Sequence, residues 1–568
     1  MKIKKIFSVL LSATMIFQVF GYANKSSAFP QKKFKYEILD KKNKTITLTK
    51  IGDHDYIPEK IDGYTVTQIG DAAAFRGLDA TLKNRIASWI MKVSKLVIFP
   101  ILFPLGAIGY AISDHEKSYL KVYFDTTDNY YQSFSKVKEV NLPQLESIGV
   151  EAFSLSKLET LNAQNLKHVN LGAFENCEDL QTFNAPNLEN IPGLKKKQSY
   201  LYDVDVWHNI YRNCKFYIGG VFQNCKKLKN VNINKVKSIG TSAFKECKDL
   251  KEINIPQCKS LGNWTFKNCT SLSNINAPKL ESTGKYSIEN CEALKEINLP
   301  NCKSINEGTF IFCKNLEDIN ITNAKFIGKR AFENCEALKK LDLPNCKSVQ
   351  WCAFKNCKSM ENINTPKLES VGDYSFEQCQ GLKEVNLPNC KTIGKGTFLN
   401  CKNLEKLYIP ACEYLDEKVF EGCKNLKDFN APKLEKIEKP VFEKSNLETI
   451  DVPNLKHISS MTFQKYENLK SFNAPKLEST VDYLFEECES LKELSFPDCK
   501  SIATGTFKNC KNLEKISIPA CEYLGEKVFE GCENLKEITI SKSFYPLFFN
   551  DSGLAYEISN GDIKVIFK

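Results

Sequence analysis

The sequence predicts a repeat solenoid, mostly β with short turns, wound in coils of about 22 residues. Three observations predict it. A large apolar residue recurs at fixed spacing: Phe222, Phe244, Phe266, Ile288, Phe310 and onward to Phe442 fall 22 residues apart, Phe463 comes one residue early, and Phe485, Phe507 and Phe529 resume the period. Every period repeats one pattern, as in residues 291–310, CEALKEINLPNCKSINEGTF. Nothing within the pattern keeps helical periodicity over the roughly ten to twelve residues of an ordinary helix. A single coil cannot bury its apolar edge, whereas stacked coils set Leu on Leu and Phe on Phe in one continuous core.

The elements follow in chain order. Lys2, Lys4 and Lys5 precede an apolar run from Ile6 to Phe20 and small residues at Ala23 and Ala28. That order reads as a secretory signal peptide over residues 1–28, with an uncleaved membrane anchor as the alternative. Residues 29–75 read as a β cap and first repeat, with a hairpin from Tyr36 to Leu48 and IPEKIDGYTVTQIGDAAAF from Ile57 to Phe75. An insertion then occupies 76–135, and the array runs over 136–541 with a second interruption at 192–218. Within a coil, Ile297 and Leu299 point inward and Asn298 outward, Pro300 ends the strand, a second extended segment covers Lys303 to Ile305, and a turn brings Phe310 inward. Asparagine recurs at the outward position (Asn254, Asn276, Asn298, Asn320), which reads as a ladder of amides bonding coil to coil. Residues 542–568 read as a C-terminal β-hairpin cap around Asn560 and Gly561.

Residues 243–262, AFKECKDLKEINIPQCKSLG, and the segment 57–75 resemble the BspA-like leucine-rich repeats, whose unit carries the pattern AF..C..L..I.IP..V..IG. The resemblance covers residues 57–541 apart from the two interruptions. It implies a leucine-rich repeat solenoid shaped as a right-handed superhelical rod or arc, and a surface or secreted protein engaged in adhesion. A fold hosts many functions, so the resemblance speaks to architecture before activity.

Cysteine is the outlier of the composition, with 23 in the chain, an odd number that a fully paired framework cannot use. Fourteen follow the repeat aromatic by three residues, and seven more (Cys258, Cys302, Cys346, Cys390, Cys412, Cys499, Cys521) follow the strand proline by two; Cys214 and Cys352 stand apart. Other coils place Leu280, Leu368, Leu434, Leu455 and Leu477 at the second position, so that site asks for a small buried apolar group. Zinc-type spacing is lacking, and stacked Cβ atoms about 4.8 Å apart lie beyond the roughly 3.5–4.5 Å of a disulfide. The expectation is buried free thiols, with no metal and no cofactor.

Both interruptions offer candidate sites. The first carries LVIFPILFPLGAIGYAI over residues 96–112, uncharged but broken by Pro100 and Pro104. It reads as a locally packed hairpin or as a membrane-docking wedge led by Leu96, Phe99, Leu102 and Phe103, a true span being the third reading. The second interleaves Lys195, Lys196, Lys197 and Arg212 with Tyr200, Tyr202, Trp207 and Tyr211. Large rigid aromatics beside cations are what partner-binding surfaces use, while an inserted loop packed flat on the array is the structural alternative.

Enzyme chemistry finds little support. His54, His115, His168, His208 and His457 are scattered, no nucleotide, metalloprotease or hydrolase motif accompanies them, and Cys214 with His208 is the one off-repeat pair. The 78 Lys and Arg stand against 68 Asp and Glu, too even a balance to indicate nucleic acid. The chain therefore reads as a secreted or cell-surface, non-catalytic binding protein that mediates adhesion to host or microbial macromolecules, proteins or extracellular matrix. Two alternatives are a self-assembling envelope component and a secreted effector that docks on membranes through residues 96–112. Residues 366–423 recur at 475–532 as a duplicated block, so the later coils read as spacer.

Overall fold

The computed structural model describes residues 35–50, 57–69, 137–193, 219–459, 462–544 and 563–568. They fall into two compact units, one ending at Val236 and the other starting at Lys237.

The first unit opens with β1 (Lys35–Asp40) antiparallel to β2 (Thr45–Lys50). Asp40 fixes their turn by accepting from the backbone N–H of Lys42 at 2.7 Å and of Asn43 at 3.1 Å, which holds its carboxyl below the usual range. β3 (Lys60–Ile61) turns back into β4 (Tyr64–Ile69) through Asp62 and Gly63, both with positive φ, as a two-residue hairpin requires. β4 is parallel to β2 and to the first coil, with Gln68 opposite Ser147 and Ile69 opposite Ile148. The long strands of successive coils then stack in parallel: Glu139–Asn141, Thr160–Asn162, Thr182–Asn184 and Asn230–Asn232.

The second unit repeats this arrangement. Each coil contributes a long strand such as Glu296–Asn298 and a short one such as Ser304–Ile305, and each pairs in parallel with its equivalent 22 residues on. The last long strand, Glu537–Ile540, is covered by Lys564–Phe567 running parallel to it. The arm at 556–559 expected to form a hairpin with this segment lies outside the described residues, so Lys564–Phe567 is seen as one more parallel rung. No α-helix occurs among the described residues, and the one helical turn is 3₁₀, Lys542–Phe544.

Alternation along each strand produces the core. Glu296 and Asn298 are exposed while Ile297 and Leu299 are buried. The turn phenylalanines stack face to face: Phe153, Phe174 and Phe222 at 5.4 and 5.3 Å in the first unit, and Phe332, Phe354 and Phe376 at 5.1 and 5.2 Å in the second. In most coils two left-handed residues, two before and two after the phenylalanine, bend the chain so that the ring points inward; Gly308 and Phe312 flank Phe310 in this way. Glycine four residues before the ladder position serves a different need. A Cβ on Gly284 would stand 2.1 Å from the Gly262 carbonyl oxygen, so only glycine lets the two backbones meet there.

Polar side chains repeat the stacking outside. The asparagine ladder forms as the sequence suggests: Asn162 donates to Asn141 at 2.9 Å, Asn184 to Asn162 at 2.7 Å, and Asn320 to Asn298 at 2.9 Å. Lysines and glutamates alternate between coils. Glu448, bridged by Lys470 at 2.6 Å and Lys427 at 2.9 Å, has its carboxyl pushed down to about 2.

Candidate binding surface

Lys195, Lys196, Lys197, Tyr200, Tyr202, Trp207, Tyr211 and Arg212 lie outside the described residues. What the structure describes is the seam that carries them. The chain leaves the array just after Ile191 and rejoins it at Gly219, yet the strands on either side pair without a slip, Phe183 opposite Val231 and Asn184 opposite Asn232. Phe174 and Phe222, 48 residues apart instead of 22, stack at 5.3 Å and 7°. Glu175 pins the return: its Oε2 accepts the Gly219 N–H at 2.8 Å and its Oε1 accepts Gln223 Nε2 at 3.3 Å. A Cβ at Gly219 would sit 2.2 Å from that carboxylate, so a larger residue there would have to displace the Glu175 side chain. Two ion pairs cross the seam, Lys226 to Glu178 at 2.7 Å and Lys227 to Asp179 at 2.8 Å. Asp179 is held below the usual carboxylate range by its bond from Lys227, aided by Lys157.

Leu96, Phe99, Leu102 and Phe103 of the first insertion also lie outside the described residues. Its seam shows the same continuity, for Gly149 N–H donates to Ile69 O at 2.8 Å and Glu146 N–H to Thr67 O at 2.7 Å. No helix of the described residues is long and apolar enough to cross a membrane.

The thiols are buried and free at all 22 described cysteines. The two ladders nevertheless differ in chemistry. In the first, the Sγ donates to the carbonyl of the turn residue one coil earlier, a phenylalanine or, for Cys313, Ile288: Cys335 to Phe310 at 3.1 Å, Cys379 to Phe354 at 3.2 Å, Cys510 to Phe485 at 3.1 Å. Where this ladder lacks cysteine, a hydroxyl replaces it. Tyr466 donates to Phe442 O, and Ser156 and Ser445 hold the same position in their coils. In the second ladder the thiol reaches only a carbonyl two residues on, as from Cys346 to Ser348 O at 3.4 Å. The expectation of a small apolar group thus fits the second ladder, while the first selects a donor. Burial pushes Cys177 and Cys488 up to about 12 and Cys346 to about 11, far from a reactive thiolate. Cys352, off both ladders, occupies a left-handed turn position and is also buried.

His168 and His457 are exposed, and His457 Nε2 lies 4.0 Å from Glu478. His54, His115, His208 and Cys214 fall outside the described residues. Among the described residues no three His, Cys, Asp or Glu side chains gather as metal ligands would.

Sequence reading missed a set of aromatics that face solvent from the array itself. Trp264 is 40% exposed and Trp351 43% exposed, and Tyr408, Tyr414 and Tyr523 stand out from strand faces. Their signal in the sequence is weak: Trp351 breaks a column of polar residues and Tyr408 replaces the ladder asparagine, but Trp264 shares its column with Tyr286 and Tyr374.

The chain matches the family described as BspA type leucine rich repeat region (6 copies) over residues 126–211, 218–339, 347–470 and 435–554. No curated protein matches it in sequence. Among solved structures it is similar to a leucine-rich repeat protein from Bacteroides ovatus, at 17% identity and a TM-score of 0.38, covering 95% of this chain and 100% of that one. A leucine rich cell surface protein from Faecalibacterium prausnitzii is similar at 16% identity and a TM-score of 0.24, over 93% and 98% of the two chains. A leucine-rich repeat protein from Eubacterium ventriosum is similar at 19% identity and a TM-score of 0.27, over 62% and 90%. With its period, its paired strands and its family match in agreement, the chain belongs to the BspA-type leucine-rich repeat family.

Proposed function

We propose that this is a secreted or cell-surface, non-catalytic binding protein that mediates adhesion to host or microbial macromolecules through the loop at 192–218. The observation that carries the reading is the seam beneath that loop. The flanking rungs meet with strand register, ring stacking and ion pairs unbroken, which supports reading 192–218 as an addition to the stack, available for binding. Lys195, Lys196, Lys197 and Arg212 would supply charge-assisted hydrogen bonds, and Tyr200, Tyr202, Trp207 and Tyr211 rigid contact area. Residues 1–28 direct export in this reading, and the first insertion adds a membrane contact through Leu96, Phe99, Leu102 and Phe103.

Pull-down from extracellular-matrix proteins and cell extracts, with the whole chain and with a chain lacking 192–218, tests the loop. The shortened chain should fold with an unchanged melting midpoint and lose capture. Equal capture by both chains overturns the assignment. In parallel, liposome flotation of a chain lacking residues 86–112 should show reduced binding, and unchanged binding removes the membrane contact.

A further inference from the structure

The turn face of the second unit carries a site of its own. Two residues before each ladder position the chain is left-handed, and this column reads Trp264, Tyr286, Gly308, Arg330, Cys352 and Tyr374 over successive rungs. Trp351 neighbours it, so a Trp and Tyr couple at 264 and 286 is followed four rungs later by another at 351 and 374. Rungs about 4.8 Å apart place the couples about 19 Å from each other along one line.

Three features define what this strip can hold. First, the tryptophans are open and the tyrosines flank them. Trp264 is 40% and Trp351 43% exposed, while Tyr286 and Tyr374 are half-buried, each ring lying so close to the glycine of the next coil that a Cβ on Gly308 or Gly396 would come 2.2 or 2.5 Å from it. Second, most of the charges are already matched, with Lys329 the exposed exception. Lys285 pairs with Glu307 at 2.8 Å, Lys395 with Glu417 at 3.0 Å, and Arg330 with Glu333, while Tyr286 donates to Glu307 at 2.9 Å. An anionic polymer seeks unpaired cations in a row, which this strip does not present. Third, the main chain is used up. Trp264 N–H donates to Lys285 O, Tyr286 N–H to Glu307 O, Arg330 N–H to Trp351 O and Tyr374 N–H to Lys395 O, all at 2.7–2.9 Å, so an extended peptide finds no strand edge to join there.

We infer that the strip binds an extended, neutral, β-linked polysaccharide. Such a chain offers flat C–H faces to the exposed Trp264 and Trp351, with Tyr286 and Tyr374 beside them, and its hydroxyls meet paired carboxylates and ammonium groups already fixed in place. Its length suits two aromatic couples four rungs apart, which a small sugar could not reach together. The site is separate from the loop at 192–218 and does not depend on it.

Affinity electrophoresis of the whole chain tests this, using native gels containing hydroxyethylcellulose, glucomannan or laminarin, with heparin as the anionic comparison. The wild-type chain should be retarded in at least one neutral gel and not in heparin. Replacing both Trp264→Ala and Trp351→Ala should abolish retardation with an unchanged circular dichroism spectrum and melting midpoint, whereas Trp264→Tyr with Trp351→Tyr should keep it. A chain lacking 192–218 should be retarded like wild type, which separates this site from the loop. Migration unaffected by all three neutral polymers, retardation confined to heparin, or full retardation of the double alanine variant would each overturn the assignment.

Discussion

A thiol three residues after the ladder phenylalanine does something leucine cannot: it gives the buried carbonyl of the coil before it a second donor, as Cys335 does for Phe310. That carbonyl already accepts the Cys313 N–H at 3.0 Å, and its second lone pair faces the core. The columns themselves bear this out, since cysteine gives way to serine or tyrosine in the first ladder and to leucine in the second. We expect Cys335→Val, which keeps volume and removes the donor, to cost about 1–2 kcal/mol. Cys346→Val, on the second ladder, should cost less than about 1 kcal/mol. Urea unfolding followed by circular dichroism checks the difference, and equal shifts for the two variants would show that the donor is irrelevant. That the thiols are buried was legible from their period. The split in their chemistry was not, because the acceptor sits 25 residues away in the chain and is a backbone atom common to every coil.

At the scale of the coil, two constraints alternate around the turn. The left-handed positions tolerate Asn, Lys, Tyr or Trp as well as glycine, and they therefore left no uniform mark in the sequence. The position four before the ladder residue is stricter wherever glycine stacks on glycine, since there the adjacent backbones touch. Gly284→Ala should therefore destabilise by about 2–4 kcal/mol, a penalty of the size seen for other forced overlaps in packed interiors. Gly63→Ala, where a Cβ would meet no atom within 4 Å, should lose only the smaller cost of a left-handed alanine. Comparing melting midpoints of the two variants separates contact from conformation, and a larger loss for Gly63→Ala would contradict the close approach. The strand, the proline stop and the asparagine ladder could be read directly from residues 291–310, because alternation and spacing encode them. The aromatic strip could not, because its members are neighbours only after the chain is wound, 22 residues per step.

Over the whole molecule, the accumulated thiols make stability depend on alkali. Burial raises their pKa in the folded state, from 9.0 to about 12 for Cys177 and Cys532 and to about 11 for Cys258 and Cys390. A group whose folded pKa is raised contributes stability that is complete below the unfolded value and is lost as pH climbs toward the folded one. Each fully buried thiol therefore withdraws about 1.4 kcal/mol per pH unit above pH 9. With 22 described cysteines buried and free, the melting midpoint should hold level to about pH 8.5 and then fall steeply toward pH 11. Thermal melts across that range measure it, and a flat profile would mean the thiols are not buried together. The same molecule shows what was legible of the insertions: their places could be read where the period stops and resumes, and the structure adds that the rungs flanking each one meet.

One property of the seams and ladders reaches beyond binding. Because the last long strand, Glu537–Ile540, is held by Lys564–Phe567 on one side and by the coil before it on the other, each rung is secured chiefly by its two neighbours. A chain drawn from its C-terminal end would come away from the second unit rung by rung. Each 22-residue coil released would add about 75 Å of slack before the next gives way. The repeat that builds the core would then also act as a graded shock absorber, yielding length in equal steps while the rungs behind it stay closed.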